Sequence, residues 1–348
     1  MKIDDLLHKK SEWLKGTGPK SNIVISSRVR LARNFEEFPF LSMAKLSVKD
    51  EILETAHALI GKSKFLKGAT YFAMKDLSEL DRQFLVERHL MSPEHMVKPE
   101  SKALIIDEKE IVSIMVNEED HLRIQVLQSG FNLMEVWKMI DEIDNDLSRN
   151  CNFAFSTRWG YLTACPTNTG TGLRGSVMLH LPALVITKQI GKVYQAISKL
   201  GLTIRGLYGE GTEASGDFLQ VSNQVTLGHS ETELLDNIER IINKIITREN
   251  STRNMLMTKN KEEISDKVWR AYGTLKSARI ITSKETIVLL SIIRLGVDAE
   301  ILKNVDMQDM NELFILTQPA HLQKLEGRSL SAHERDCKRA ELIRERLR

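Results

Sequence analysis

The chain has 348 residues, of which 42% are hydrophobic and 28% charged, a composition typical of a globular protein with a large core. Lysine and arginine number 49 against 47 aspartate and glutamate, so the net charge of +2 gives no overall attraction to nucleic acid or to an anionic membrane. Three cysteines are too few for a disulfide framework, and no apolar run approaches the ~20 residues of a membrane span. We therefore expect a cytoplasmic protein without a membrane segment, a nucleic-acid partner or a metal site of its own.

Strand-like and helix-like patterns alternate along the first 250 residues. An amphipathic segment over residues 1–20 precedes them. Runs rich in β-branched residues predict strands, and apolar residues at helical spacing behind capping signals predict helices. The strands are expected at 23–31, 111–116, 122–127, 202–207 and 218–227, and the helices at 131–149, 182–200 and 234–249. Because several strands follow one another without a helix between them, the pattern favours an α+β fold, a largely antiparallel sheet flanked by helices.

The texture changes after about residue 250, where charged, helical sequence replaces strands. This change predicts a main domain over 21–250 and a small C-terminal helical domain over 260–348, which ends in a capped helix that begins near Ser331.

Two glycine motifs suggest nucleotide binding but lack their context. Residues 170–177 spell GxGxxGxV, yet the chain has neither the HRD nor the DFG segment of a protein kinase. No acidic residue lies about 20 positions on, as a dinucleotide site requires. The segment 61–63 resembles the end of a P-loop, but Ala56 occupies the place of its first glycine.

Five arginines lie inside apolar, strand-like segments, where a guanidinium is costly unless it is paired. For any one of them a structural salt bridge is the simpler explanation. Taken together they favour a polyphosphate, because the arginine fork matches phosphate oxygens. Gly170, Gly172 and Gly175 would also let backbone N–H groups approach a phosphate. The five are Arg28, Arg30, Arg123, Arg174 and Arg205.

Acidic turns lie beside two of these arginine segments, NEEDH at 117–121 and YGEG at 208–211. A polyphosphate repels carboxylates, so the turns indicate a second, cationic substrate such as a guanidinium. Guanidinium is a poor nucleophile that carboxylates would have to align and deprotonate. The residues thus point to phosphoryl transfer from a nucleotide to a guanidino group.

Four segments, SSRVRLARN, NEEDHLRIQ, CPTNTGTGLR and RGLYGEGTEASGD, resemble the signature segments of the phosphagen (ATP:guanido) kinases, in the same order over residues 21–250. The resemblance implies a twisted, largely antiparallel sheet and the use of ATP with Mg²⁺. It also implies that Glu119 and Glu210 are catalytic carboxylates, that His89 packs on the adenine and that Cys165 lies near the substrate. The implied ATP-binding set is Ser26, Ser27, Arg28, Val29, Arg30, His89, Arg123, Arg174, Gly175, Ser176, Val177, Met178, Arg205, Gly206, Leu207, Tyr208, Gly209 and Glu210.

The chain differs from the small-substrate enzymes of the family in two features, a short N-terminal segment and the C-terminal extension. In both features it is similar to the bacterial protein-arginine kinases. The extension carries the RDxxRA motif, which implies phosphoarginine binding by Arg335, Asp336 and Arg339. The resemblance further implies protein substrates with exposed arginines. One of them would be a transcriptional repressor, whose phosphorylation would relieve the repression of stress genes. The other implied partners are a zinc-containing activator, McsA, a Clp ATPase–protease and further copies of the chain in a dimer or higher oligomer. Two alternatives stay open, namely a kinase for free arginine or another small guanidino compound, and a phosphoarginine-binding adaptor.

Overall fold

The computed structural model describes residues 2–206 and 216–347. Its strands are β1 (Val24–Arg33), β2 (Thr70–Ala73), β3 (Ala103–Ile106), β4 (Val112–Val116), β5 (Leu122–Ser129), β6 (Phe155–Ser156), β7 (Gly160–Tyr161), β8 (Leu173–His180), β9 (Leu202–Arg205) and β10 (Phe218–Asn223). Its helices are α1 (Ile3–Leu7), α2 (Leu46–Lys62), α3 (Glu79–Glu87), α4 (Pro93–Met96), α5 (Leu133–Ser148), α6 (Pro182–Ile186), α7 (Ile190–Lys199), α8 (Glu231–Lys259), α9 (Lys261–Ser277), α10 (Ser283–Asp298), α11 (Met307–Leu316), α12 (Pro319–Glu326) and α13 (Ala332–Arg346).

Eight strands form one antiparallel sheet in the order β2–β3–β4–β5–β1–β8–β10–β9, while β6 and β7 form a separate hairpin. The predicted α+β class is confirmed. Of the eight sheet strands, the sequence patterns missed β2, β3 and β8, since β2 and β3 have only four residues each and β8 contains Gly175.

The sheet has two differently covered faces. On one face α2, α5 and α8 pack against the apolar side chains of the strands in the largest core of the protein. On the other face α3 covers β3 and β4, and the C-terminal helical region, α9–α13, covers the start of β1 and the end of β8. Between these two covers, part of the second face remains open.

The helix predicted over 182–200 is wrong as a single element. Lys188 adopts a left-handed conformation, with φ of 57°, and separates α6 from α7. The hydroxyl of Thr187 donates a hydrogen bond to the carbonyl of Ala183, and Gln189 Nε2 donates to that hydroxyl. Side-chain hydrogen bonds therefore stabilise the break between the two helices.

The predicted domain limit near residue 250 falls inside a helix. Helix α8 begins at a capping box of Ser230 and Glu233 and continues to Lys259, and only Asn260 separates it from α9. One helix therefore carries the chain from the sheet into the C-terminal helical region. No helix in the described part of the chain has the length and apolar character needed to cross a membrane.

Candidate active site

All five predicted arginines lie on the open face of the sheet and line one cleft of about 770 Å³. Strand register explains why. Residues directly opposite each other in antiparallel strands share a face, and Arg30 lies opposite Arg174 on β8 while Arg123 on β5 lies opposite Ala32. The alternation of β1 puts Arg28 and Arg30 on that same face. The five arginines that the sequence pattern singled out therefore lie together in one cleft.

The cleft is strongly electropositive. Burial and the charges of Arg123, Arg174 and Arg205 lower the pKa of Arg28 to about 9. Burial and the neighbouring arginines lower the pKa of Arg30 well below its usual range. The Nε of Arg30 is buried and has no hydrogen-bond partner among the described residues. Cations crowded in this way favour a polyanionic ligand.

Serine hydroxyls orient two of the arginines from neighbouring strands. Arg28 Nε donates to Ser176 Oγ at 3.3 Å, and Arg174 donates to Ser222 Oγ at 3.2 Å. These bonds tie the two arginines to serines of β8 and β10.

Glu119 and Cys165, which the family resemblance implies to be near the guanidinium, line one end of the cleft. Asn168 Nδ2 donates to Glu119 Oε2 at 3.3 Å. Burial, with the charges of Asp120 and Glu118, raises the pKa of Glu119. The thiol of Cys165 lies 3.0 Å from the hydroxyl of Thr167.

Glu118 is a cleft residue that the sequence reasoning missed. Its carboxylate is almost buried, pairs with Arg123 at 2.6 Å and accepts a hydrogen bond from Ser92 Oγ at 2.6 Å. Burial raises the pKa of Glu118, but Arg123 and Ser92 outweigh burial, so the pKa lies below its usual value. The signal for this pair was present in the sequence, since Arg123 follows Glu118 by five residues across a tight turn.

Asp120 fixes the acidic turn to the loop that carries Cys165. Its Oδ1 accepts hydrogen bonds from Asn34 Nδ2 and from the backbone N–H of Ala164, each at 2.7 Å. The two bonds hold Glu119 and Cys165 at the same end of the cleft.

His89 and three further predicted residues meet at the opposite end. Ser26, Ser176 and Met178 line a notch beside Arg28 and His89, and this notch adjoins the cleft. Four other predicted residues are on these strands at the alternate positions, on the face that is covered by α5 and α8. These are Ser27, Val29, Gly175 and Val177.

The expectation that glycine N–H groups bind phosphate is wrong for two of the three glycines. The N–H of Gly170 donates to the carbonyl of Tyr161, and that of Gly175 donates to Asn223 Oδ1 at 2.8 Å. A Cβ on Gly175 would lie 2.7 Å from Leu235 on α8, so this glycine permits close packing of β8 on that helix. Gly172 does line the cleft.

Several predicted residues fall elsewhere. Gly206 follows β9 and lines a separate pocket with Tyr194 of α7. The predicted Leu207, Tyr208, Gly209 and Glu210 lie outside the described residues.

The RDxxRA motif lies on α13, away from the cleft. Arg339 is 1% exposed, donates to the carbonyls of Thr317 and Ile281 at 2.8 and 2.9 Å, and pairs with Asp336. Arg335 is partly exposed and donates to the carbonyl of Leu330 at 2.8 Å. Within this motif, Arg339 is thus occupied by the fold, and Arg335 and Asp336 retain access to solvent.

Within 2–206 and 216–347, His, Cys, Asp and Glu form no group of three or more that is arranged to hold a metal ion. Glu94, Glu118 and Glu119 are the three carboxylates that line the cleft over those residues. A nucleotide-borne Mg²⁺ fits such a site, because this ion is usually held by substrate phosphates and one or two carboxylates.

Comparison with known proteins agrees with this geometry. Residues 51–252 match the family model of the ATP:guanido phosphotransferase C-terminal catalytic domain, and residues 261–348 match that of the protein-arginine kinase McsB C-terminal domain. The protein-arginine kinase of Halothermothrix orenii is 47% identical over 348 residues, which are 100% of this chain and 99% of that protein. The protein-arginine kinase of Desulforamulus reducens is 48% identical over 340 residues, which are 97% of this chain and 95% of that protein.

Solved structures show the same fold. The duplicated taurocyamine kinase of Schistosoma mansoni superimposes with a TM-score of 0.62 at 27% identity, over 72% of this chain and 38% of that longer chain. A lombricine kinase superimposes with a TM-score of 0.59 at 23% identity, over 70% of this chain and 72% of that chain. The two relatives align with 97% or more of this chain, and one family model matches each of its two parts. The chain therefore belongs to the ATP:guanido phosphotransferase family and, within it, to the protein-arginine kinases.

Proposed function

We propose that the protein transfers the γ-phosphoryl group of ATP to arginine side chains of other proteins. The observation that carries this proposal is the single cleft that holds five arginines along its floor and Glu119 at one end. The arginines suit a triphosphate, and the carboxylate suits a guanidinium.

In the proposed step a guanidinium nitrogen attacks the γ-phosphorus in line with the leaving ADP. A P–N bond forms and the bond between the γ-phosphorus and the β,γ-bridging oxygen breaks. The nitrogen gives its proton to Glu119, whose raised pKa makes it a better proton acceptor than an ordinary glutamate. The arginines neutralise the charge that develops on ADP, since phosphoryl transfer depends mainly on positioning and electrostatics. Bound Mg²⁺ would add charge neutralisation at the phosphates.

The experiment uses purified full-length protein with ATP and either free arginine or an arginine-rich protein. Phosphoarginine is detected as acid-labile, base-stable phosphate. We expect product on the protein acceptor, and a fall of at least about 100-fold in turnover for Glu119→Gln with little change in ADP affinity. Glu108→Gln, a change at an exposed turn, serves as the matched control.

Product on free arginine alone would instead assign the protein to small guanidino substrates. ATP and phosphoarginine binding without any turnover would favour an adaptor. The first alternative, a kinase for a small guanidino compound, is represented among proteins with this fold by the taurocyamine and lombricine kinases.

We further propose the finer roles that the resemblance implies. Phosphorylated proteins, among them a transcriptional repressor of stress genes, would pass to a Clp ATPase–protease, and a zinc-containing activator, McsA, would stimulate the kinase. The partly exposed Arg335 and Asp336 would bind phosphoarginine, with Arg339 holding Asp336 in place. Calorimetry with a phosphoarginine peptide and the Asp336→Lys variant tests this last role, and equal affinities would refute it.

A further inference from the structure

Strand register orders the chemical groups along the cleft. Arg123 lies level with Ala32 of β1, Arg174 with Arg30, Ser176 with Arg28, and Met178 with Ser26. From Ala32 to Ser26 the strand rises about 20 Å. The cleft therefore has a carboxylate end at Glu119, arginines along β5, β1 and β8, and a far end at Ser26 and Met178. Arg205 is level with this far end but lies three strands away from Ser26, on β9.

This order fixes the direction of a bound nucleotide, given the proposed function. The γ-phosphate must meet the guanidinium at Glu119, and the phosphates must follow the arginines. The base then lies at the far end, beside His89 and the notch that contains Ser26 and Met178.

Trp13, a residue of the N-terminal segment, covers this far end of the cleft. It lies in a short 3₁₀ turn, Glu12–Leu14, which packs on β1 and β5 and precedes the part of the chain that matches the catalytic family model. The indole is 3% exposed, and its ring meets that of His89 edge to face, with centroids 5.0 Å apart and planes at 87°. On its other side Trp13 joins the apolar core of the C-terminal helical region.

His89 has an uncommon backbone conformation for a residue other than glycine. It adopts a left-handed backbone conformation with φ of 61°, directly after the end of α3. Burial and Arg28 lower the pKa of His89 to about 3, so the imidazole is neutral and presents an aromatic surface. The notch beneath the pair measures about 10 Å³, room for about one water molecule. A base therefore rests at the mouth of the notch, and the indole acts on it through His89.

We propose that Trp13 is a positioning residue of the nucleotide site, which holds the His89 ring where the base of the nucleotide packs. The indole Nε1 is buried without a hydrogen-bond partner among the described residues. The ring contact with His89, and not a hydrogen bond, therefore accounts for a tryptophan at this position. A short N-terminal segment thus completes the base end of a site whose phosphate end belongs to the sheet.

The test compares two ligands, ADP and inorganic tripolyphosphate, which share the phosphates but differ in the base. We expect Trp13→Ala to weaken ADP binding at least tenfold by calorimetry, equivalent to about 1.4 kcal/mol, and to change tripolyphosphate affinity less than twofold. The KM for ATP should rise while kcat at saturating ATP stays within about threefold. Trp13→Phe, which keeps an aromatic edge, should restore most of the ADP affinity.

Trp269→Ala is the matched control, because that indole on α9 is 53% exposed and distant in sequence from the cleft strands. An equal loss of ADP and tripolyphosphate affinity would overturn the proposal and make Trp13 a purely structural residue. So would ADP affinity within twofold of the parent protein. If Trp13→Ala fails to fold, Trp13→Leu replaces it, and the same two ligands decide. Neither ligand requires an acceptor, so the outcome is independent of which guanidino compound is phosphorylated.

Discussion

Three adjacent carboxylates in the acidic turn have three different roles. Glu118 is paired with Arg123, Glu119 faces the cleft, and Asp120 ties the turn to the backbone of Ala164. The sequence predicted that the turn would lie beside Arg123, because the turn leads directly into the strand that carries this arginine. It could not assign the individual roles, since these depend on which loop packs against each carboxylate.

Asp120→Asn should shift the pH dependence of the kinase. The charge of Asp120 helps to raise the pKa of Glu119, and Glu119 must be ionised to accept a proton. Removing that charge lowers the pKa of Glu119, so the acid limb of the kcat/KM profile should move to lower pH. Asparagine keeps Oδ1, which accepts both hydrogen bonds of the parent carboxylate, so the turn should retain its conformation.

The profile is measured between about pH 5 and pH 9 beside that of Glu108→Gln, which should match the parent protein. An acid limb that stays in place or moves upward would remove Glu119 as the titrating group.

Helix α8 shows what periodicity can and cannot predict at the level of elements. The capping box and the apolar spacing after Ser230 predicted where the helix begins and which face is buried. They did not reveal that the helix crosses the expected domain limit. There Glu249 accepts hydrogen bonds from the N–H groups of Ala183 and Leu184, and Arg253 pairs with Glu249 and Asp298. Glu249 and Arg253 are four residues apart on one helix, but Ala183, Leu184 and Asp298 are distant in sequence, so no local pattern predicts the contacts with them.

Glu249→Ala should destabilise the protein strongly. The change removes the acceptor of two buried N–H groups at the start of α6 and one of the two carboxylate partners of the buried Arg253, which costs about 3 kcal/mol or more. Urea denaturation measures the free energy of unfolding. Glu262→Ala, at an exposed position of α9, should change it by less than about 0.5 kcal/mol. A comparably small change for Glu249→Ala would mean that the contacts of Glu249 with α6 and Arg253 contribute little to the free energy of unfolding.

At the scale of the whole molecule, both ends of the chain meet beside the cleft. Glu87 at the end of α3 accepts hydrogen bonds from the N–H groups of Ala320 and His321 and from His321 Nδ1, at 2.8 to 3.0 Å. Burial outweighs Glu87 and lowers the pKa of His321, which fits a neutral ring that donates from Nδ1. The adjacent Arg88 pairs with Glu110 and donates to Ser11 of the N-terminal segment. The next residue is His89.

Glu87→Ala should loosen the C-terminal helical region and weaken nucleotide binding together. It removes the acceptor of three buried donors at the start of α12, a loss of about 3 kcal/mol. We expect faster hydrogen exchange in α12 and a rise in the Kd for ADP. Glu79→Ala, at an exposed position on the same helix, is the control. Unchanged exchange in α12 would show that other contacts hold this helix in place.

Because Glu87, Arg88 and His89 are consecutive, one short stretch of backbone carries the C-terminal helices, the N-terminal segment and a wall of the nucleotide cleft. Any ligand that shifts α12 and any nucleotide that packs on His89 therefore act on the same three residues. Thermodynamic reciprocity then sets a strict condition: if a ligand of the C-terminal helices changes the affinity for ADP by some factor, ADP must change the affinity for that ligand by the same factor. Two titrations, each carried out with and without the other ligand, should close this cycle.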